Sequence, residues 1–457
     1  MSVNPFRWLL LAILSSLSPA LMAASADSVD CATEPLQGAI DAAEPGSVLT
    51  LQGLCEGHFT IDKDLTLKGA SAQLVGIDDG PVLTLKNGAT APRVQLMDLT
   101  VRDGGASLYF TEDPFSAGGV LILNEVADPL VVLMDRITLT DNTVPANEEA
   151  TGAGGIATRG PVYLTIRDSV VSNNGVRNAS LDRTIVGGIL LGPQGRLVMF
   201  DTELLGNFNL TDGGGSGGLD CAGHCVMVGG QITDNQTGSD STNSGAGFTV
   251  RQDGFLLMKG VGVQDNRSDW DTLVAGGGVV MGHAVLSDTQ VRDNHLVPTG
   301  DSDGAAGLLV HGGVLEMVDS TVQGNRAPGI YHRGAAGLTA SDRARVTLTR
   351  TAFRDNQAAL TPSGTNAGAI MLSDDSRLSG SDVTVRQNGG QVGGIRVGEG
   401  TRLVLDGSRV QGNLGDQAGG IWRDSTASTP GEILLLDTRV FNNTPNDCSG
   451  FTSPACP

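Results

Sequence analysis

A single-stranded right-handed parallel β-helix of about 12 coils, all-β apart from a short N-terminal capping helix, is the fold class predicted here. Three observations predict it. An apolar residue followed three places later by asparagine recurs along most of the chain, and short alternating apolar and polar runs lie between the recurrences. Glycine fills 65 of 457 positions, roughly twice its usual share, which supplies many tight turns. The glycines do not fall on every third residue, so collagen is excluded. An apolar content of 40 % is enough to build a core.

The repeat is carried by Asn142, Asn174, Asn207, Asn235, Asn266, Asn294, Asn325, Asn356, Asn388, Asn413 and Asn443, eleven copies at intervals of 25 to 33 residues. Each follows an apolar residue by three, from Leu139 to Val440. Six places before the asparagine an aspartate often stands: Asp168, Asp201, Asp288, Asp319, Asp382 and Asp437. Asp135 departs by one place, and Asp98 and Val101 mark an earlier copy in which Gly104 replaces the asparagine. Many copies open with a small pair and an apolar residue, as in Gly217-Gly218-Leu219, Ala306-Gly307-Leu308 and Gly393-Gly394-Ile395. Runs such as Arg345-Val346-Thr347-Leu348 and Arg402-Leu403-Val404-Leu405 alternate with period two, which places one face inward and one outward and reads as strand.

One turn of such chain cannot bury its own apolar face, whereas copies stacked every ~4.8 Å form a continuous core. A fixed asparagine in each coil then forms an internal amide ladder, and Asn tolerates the left-handed conformation. The recurrent aspartates precede Ser or Thr and are expected to make Asx-type bonds at turns. Propeller blades need about 40 residues, more than these repeats offer. The leucine spacing and helices of leucine-rich repeats are absent.

Taken in order, residues 1–26 read as a secretory signal peptide: Arg7, an apolar run from Trp8 to Leu14, and small residues up to Ala26. The cap, 27–60, contains the one good helix signal, Leu36 to Ala43, ending before Pro45-Gly46. The β-helix domain spans 61–443, and 444–457 forms a disulfide-capped tail. Six cysteines fall into three local pairs, Cys31 with Cys55, Cys221 with Cys225, and Cys448 with Cys456. Six cysteines allow fifteen pairings, so this pairing is an expectation. Zinc at Cys221 and Cys225 would need further ligands that are not nearby.

Fifty acids against 29 bases give a net charge of -21, which excludes tight nucleic-acid binding. Polyanionic sugars would be repelled unless a cation or a local arginine cluster offset the field. No segment after the leader reaches transmembrane length, so the mature chain is expected to be secreted: extracellular, on the cell surface or in the periplasm.

The small-pair openings with apolar-x-x-Asn resemble the repeats of polymorphic outer-membrane proteins, and the layout resembles the pectin-lyase-like superfamily. Cys31, Leu36, Ala39-Ile40, Ala43, Gly46, Leu49 and Leu51 are similar to the N-terminal cap of secreted bacterial β-helix proteins. Polymorphic outer-membrane proteins carry a C-terminal membrane barrel, whereas this sequence stops at Pro457, so barrel anchoring is not expected. Resemblance to polygalacturonases would imply Asn-Thr-Asp, Gly-His-Gly and Arg-Ile-Lys in order along the coils, and resemblance to pectate lyases their arginine motif. None of these occurs, so no catalytic residue carries over.

Loops on a rigid scaffold are the usual place for function. The segment between asparagine and the next small pair spans ten to a dozen residues in most coils and about half that after Asn388 and Asn413, which predicts a wall that falls away toward the C-terminus. Four successive loops carry Asp240; Asp269, Trp270 and Asp271; Asp301 and Asp303; then Tyr331, His332 and Arg333. Trp270, Tyr331, Arg333 and Asp240 are the expected sugar contacts. Asp269, Asp271, Asp301, Asp303 and His332 are the candidates for acid–base chemistry, which in glycosidases needs carboxylates about 5 to 9 Å apart. Asp301-Ser302-Asp303-Gly304 resembles half a calcium loop; no other cofactor is expected. His224, His283 and His311 lie 11, 11 and 14 residues before their asparagines and read as surface histidines. Three functions compete: a protein that binds extracellular glycan or another surface component, a polysaccharide hydrolase or lyase, and a passive scaffold. The lack of any long insertion favours binding or scaffold over catalysis.

Overall fold

The computed structural model describes residues 26–77, 80–105, 115–144, 151–179, 184–211, 214–238, 243–269, 272–297, 302–328, 332–360 and 366–456. The chain winds into a right-handed parallel β-helix of about 11 regular turns. These are the turns with a ladder asparagine. Rungs at Leu54–Glu56, Gln73–Val75 and Thr100–Arg102, which lack it, bring the second sheet to 14 strands, so the coil series extends further toward the N-terminus than the asparagine repeat shows. The first sheet has 15 strands and begins at Ala26–Asp30.

One coil gives the path. Phe248–Val250 lies in the third sheet, Phe255–Lys259 in the first and Gly262–Gln264 in the second. Arg267–Ser268 then joins a nine-stranded sheet, and Thr272–Ala275 returns to the next third-sheet strand, Gly278–Val280. Each strand pairs in parallel with its equivalent one coil on, as Phe255 does with His283 and Val263 with Val291. In Arg345–Thr349, Val346 and Leu348 are buried while Arg345 and Thr347 are exposed. The inward residues of all three sheets form one core from Val29 to Val440.

Two corners in each coil need left-handed backbone. The first takes Asp98, Arg136, Asp168, Asp201, Asp288, Asp319, Arg350, Asp382 and Asp437, at φ between 43° and 56°. The aspartates are therefore selected for conformation. The hydrogen bond expected of them belongs to the following Ser or Thr, whose hydroxyl donates back to the carbonyl before the aspartate, as Thr202 does to Phe200 at 2.9 Å and Ser320 to Val318 at 2.8 Å. The departure at Asp135 is explained the same way: Arg136 holds the corner, and Asp135 ends the strand.

The second corner lies one residue before each ladder asparagine, at Asp141, Asn173, Gly206, Asp234, Asp265, Asp293, Gly324, Asp355, Gln387, Gly412 and Asn442, and at Asp103 before Gly104. The left-handed conformation expected of the asparagine thus falls on its neighbour, leaving the amide free to point inward. Each Asn Nδ2 donates to the next asparagine's Oδ1 at 2.8–3.1 Å, unbroken from Asn142 to Asn443. The same Oδ1 accepts the previous asparagine's backbone N–H, as Asn294 does from Asn266 at 3.1 Å. The small pairs mark the closest approach of stacked coils: a Cβ on Gly218 would sit 2.4 Å from the carbonyl oxygen of Gly247.

Both ends are closed. Helix α1, Leu36–Ala42, buries Leu36 and Ile40 against the first rung. Gln37 substitutes for a missing strand, its Oε1 accepting Thr60 N–H at 2.8 Å and its Nε2 donating to Thr60 C=O at 3.2 Å. Lys63 Nζ donates to the carbonyls of Asp41 and Ala43 at the helix C-terminus, where a cation is favoured. At the other end Asp447 takes the next asparagine's place, its Oδ1 accepting from Asn443 N and Nδ2 at 2.9 and 2.8 Å. Disulfides join Cys31 to Cys55, Cys221 to Cys225 and Cys448 to Cys456.

Candidate ligand-binding cleft

The loops fold back over the outer face of the third sheet. There they bury a second set of apolar contacts, such as Ala117, Leu121, Ala153, Ala157, Val186 and Leu190, then Ala275, Val279, Ala305 and Leu309. Beneath this cover Asp220, fully buried, is held by Arg251 Nε at 2.9 and 3.0 Å and by its Nη2. Asp220 keeps the Arg251 guanidinium charged despite burial, which by itself acts in the opposite direction.

Of the residues expected to form the sugar-facing wall, Asp240, Trp270, Asp271, Asp301 and Tyr331 lie outside the described residues. Asp269 is committed to structure, with Oδ1 at 2.5 Å from Arg267 Nε and Oδ2 accepting from Gln236 Nε2 at 3.1 Å. The backbone sets Asp303 beside Arg333 and Ser302 beside His332 in adjacent rungs of a four-stranded sheet.

The wall ends where the loops shorten. After Asn388 and Asn413 the strands Gly389–Val392 and Leu414–Ala418 run directly into the third sheet. On its outer face the column Met371, Arg396, Trp422 is then uncovered at one side. A cleft of about 500 Å³ opens there, lined by Met371, Arg396 and Asp424 and rimmed by Asp374, Asp375 and Glu399.

Arg396 is 8 % exposed, its Nε is buried without a partner, and it makes no hydrogen bond among the described residues. Its guanidinium lies over the Trp422 ring at 4.5 Å, a contact worth about 0.5–2 kcal/mol. Burial pushes the Arg396 pKa down, and the nearby Asp424 charge opposes this. Asp424 is itself held below the usual carboxylate range, chiefly by the Thr426 hydroxyl at 2.8 Å and also by its backbone N–H at 3.0 Å. Glu399 accepts from the Ser428 hydroxyl and from Thr429 N–H at 3.2 Å. The floor thus offers the Arg396 guanidinium, backed by the Trp422 ring from outside the lining, and the rim offers acceptors.

No family model and no curated protein matches the chain. Among solved structures it is similar to tailspike protein 2 of Escherichia coli O157:H7 bacteriophage CAB120, at 11 % identity and TM-score 0.36, over 79 % of this chain and 42 % of that one. Tailspike protein 3 of bacteriophage CBA120 matches at 10 % identity and TM-score 0.35, over 91 % and 58 %. The polygalacturonase from Erwinia carotovora ssp. carotovora matches at 9 % identity and TM-score 0.24, over 96 % and 97 %. The chain spans about half the length of the tailspike proteins it matches. Likenesses this distant say nothing of a ligand, which must be read from the cleft's own residues.

Arg396 and Trp422 had a signal in the sequence. The residue after each small-pair opening and its apolar partner faces outward from the third sheet, giving Leu190, Asp220, Thr249, Val279, Leu309, Thr339, Met371, Arg396 and Trp422 in successive coils. That column turns from covered residues to Arg and Trp where the loops shorten. The histidines follow a similar rule. The position eleven before each asparagine is an outward column of the first sheet, and His224 and His283 flank Phe255 in it, with ring centroids 5.9 and 5.3 Å away. His311 lies elsewhere, its Nδ1 3.1 Å from Ser341 Oγ.

Proposed function

We propose that this cleft binds a neutral sugar unit of an extracellular polysaccharide and does not cleave it. The observation that carries the reading is Arg396. Its Nε is buried without an acceptor, which costs about 1–3 kcal/mol, and a sugar hydroxyl or ring oxygen would supply one. The Trp422 ring holds that guanidinium in place from behind, and the rim carboxylates suit sugar hydroxyl protons. Four carboxylates around one arginine disfavour an acidic sugar.

Glycoside hydrolysis needs one carboxyl held protonated to donate to the leaving oxygen. Asp424 is held ionised instead. Asp265 is pushed upward, by burial and then by the Asp293 and Asp234 charges, but it stands at the second corner several coils away. The disulfides and the leader-like N-terminus support an extracellular setting.

The test is retention of the full chain on immobilised neutral polysaccharides, with reducing and unsaturated ends assayed in the eluate. The expected result is retention without new ends, lost in a folded Trp422→Ala variant. New ends would overturn the non-catalytic half of the proposal, and equal retention by the variant would overturn the cleft.

A further inference from the structure

The outward column eleven residues before the ladder positions changes character along the solenoid. After Val314 it reads Arg345, Arg377, Arg402 and then Glu432, all in direct parallel register. All three arginines are exposed. Several other outward arginines meet a carboxylate on a neighbouring coil: Arg136 pairs with Asp98, Arg350 with Asp319 and Arg251 with Asp220. Arg402 reaches Glu432 at 3.5 Å. Arg345 and Arg377 have no partner among the described residues and stand opposite one another, about 4.8 Å apart along the ladder.

Like charges directly opposite on adjacent strands are unfavourable, and this chain has 50 acidic residues with which to relieve them. Its charge is also unevenly spread. Residues 341–457 hold 11 arginines against 12 acids, so nearly all of the net charge of -21 lies upstream. Beside the column the outer face carries Thr347, Ser379 and Val404, then Thr349, Ser381 and Asp406. The surface carries hydroxyl donors, with cations repeating once per coil.

We propose that Arg345, Arg377 and Arg402 form a second binding face, for a linear acidic polysaccharide laid along the solenoid axis. Successive sulfate or carboxylate groups accept from successive guanidinium groups, whose planar donor forks suit such oxyanions. The local arginine cluster offsets the repulsion that the whole-chain charge imposes. This face lies on the first sheet and does not depend on the cleft.

The experiment compares the full chain and the double variant Arg345→Gln/Arg377→Gln on dextran sulfate and on unmodified dextran, at low and moderate salt. The proposal expects the wild-type chain to bind dextran sulfate and weaken as salt rises, and the variant to bind at least tenfold more weakly at low salt. Arg343→Gln, which removes an exposed arginine paired with Asp342, should bind as wild type. Exposed substitutions on a regular strand should leave thermal unfolding unchanged, which separates lost binding from lost folding. Undiminished binding by the double variant, or no wild-type binding at low salt, would overturn the proposal. Neither result bears on retention through Trp422.

Discussion

Asn294 shows what a single ladder residue does. Its Oδ1 accepts from Asn266 N and Nδ2 at 3.1 and 2.9 Å, while its Nδ2 donates to Val263 O and Asn325 Oδ1 at 3.0 Å each. In Asn294→Ala the Asn266 backbone N–H loses this acceptor in a fully buried site. An orphaned buried polar group costs about 1–3 kcal/mol, and more than one is affected, so a loss of about 3 kcal/mol is expected by denaturant titration. A change within 0.5 kcal/mol would mean that the ladder is not holding the coils in register. The asparagine spacing made this residue's role legible in the sequence. Its backbone conformation was not legible: Asn and Asp both tolerate the left-handed region, and the choice between Asn294 and Asp293 depends on which of the two must point inward.

At the level of elements, the first rung tests how a solenoid ends. An open rung exposes backbone donors and acceptors to a second chain. Here α1 covers the apolar end while Gln37 bonds both backbone groups of Thr60. Gln37→Ala should speed amide exchange at Thr60 by about fivefold, in line with one net hydrogen bond of ~1 kcal/mol, and leave exchange at Leu197 in mid-solenoid unchanged. Unaltered exchange at Thr60 would show that the helix alone closes the end. The helix was readable from Leu36, Ile40 and the Pro45-Gly46 stop. Gln37 was not, because its partner lies 23 residues away and nothing local marks a side chain that replaces a strand.

Across the whole molecule, the solenoid acts as a ruler that turns sequence position into surface position. Residues eleven places before a ladder asparagine fall on one line, so Tyr163, Arg196, His224, Phe255 and His283 share it with the arginine column. Reading loops one at a time drew attention to Trp270 and its acidic neighbours, whereas Trp422 required following the residue after each small-pair opening and its apolar partner across many coils. The shortening of the loops after Asn388 and Asn413 was visible in the sequence. What it uncovers was not, because the outer face of the third sheet is buried elsewhere by loops whose path back over the sheet leaves no local pattern.

The Arg396 Nε, buried without a hydrogen-bond partner in the cleft, is the feature on which the proposed ligand rests. Its measurement is binding of the full chain to a panel of neutral oligosaccharides, compared with Arg396→Gln and Arg396→Leu, alongside thermal unfolding of each without sugar. The expected result is at least a tenfold loss of affinity in both variants, with Arg396→Leu as stable as the native chain or more so, since a leucine needs no acceptor. Native affinity in both variants, or no binding by the native chain to any sugar in the panel, would contradict it.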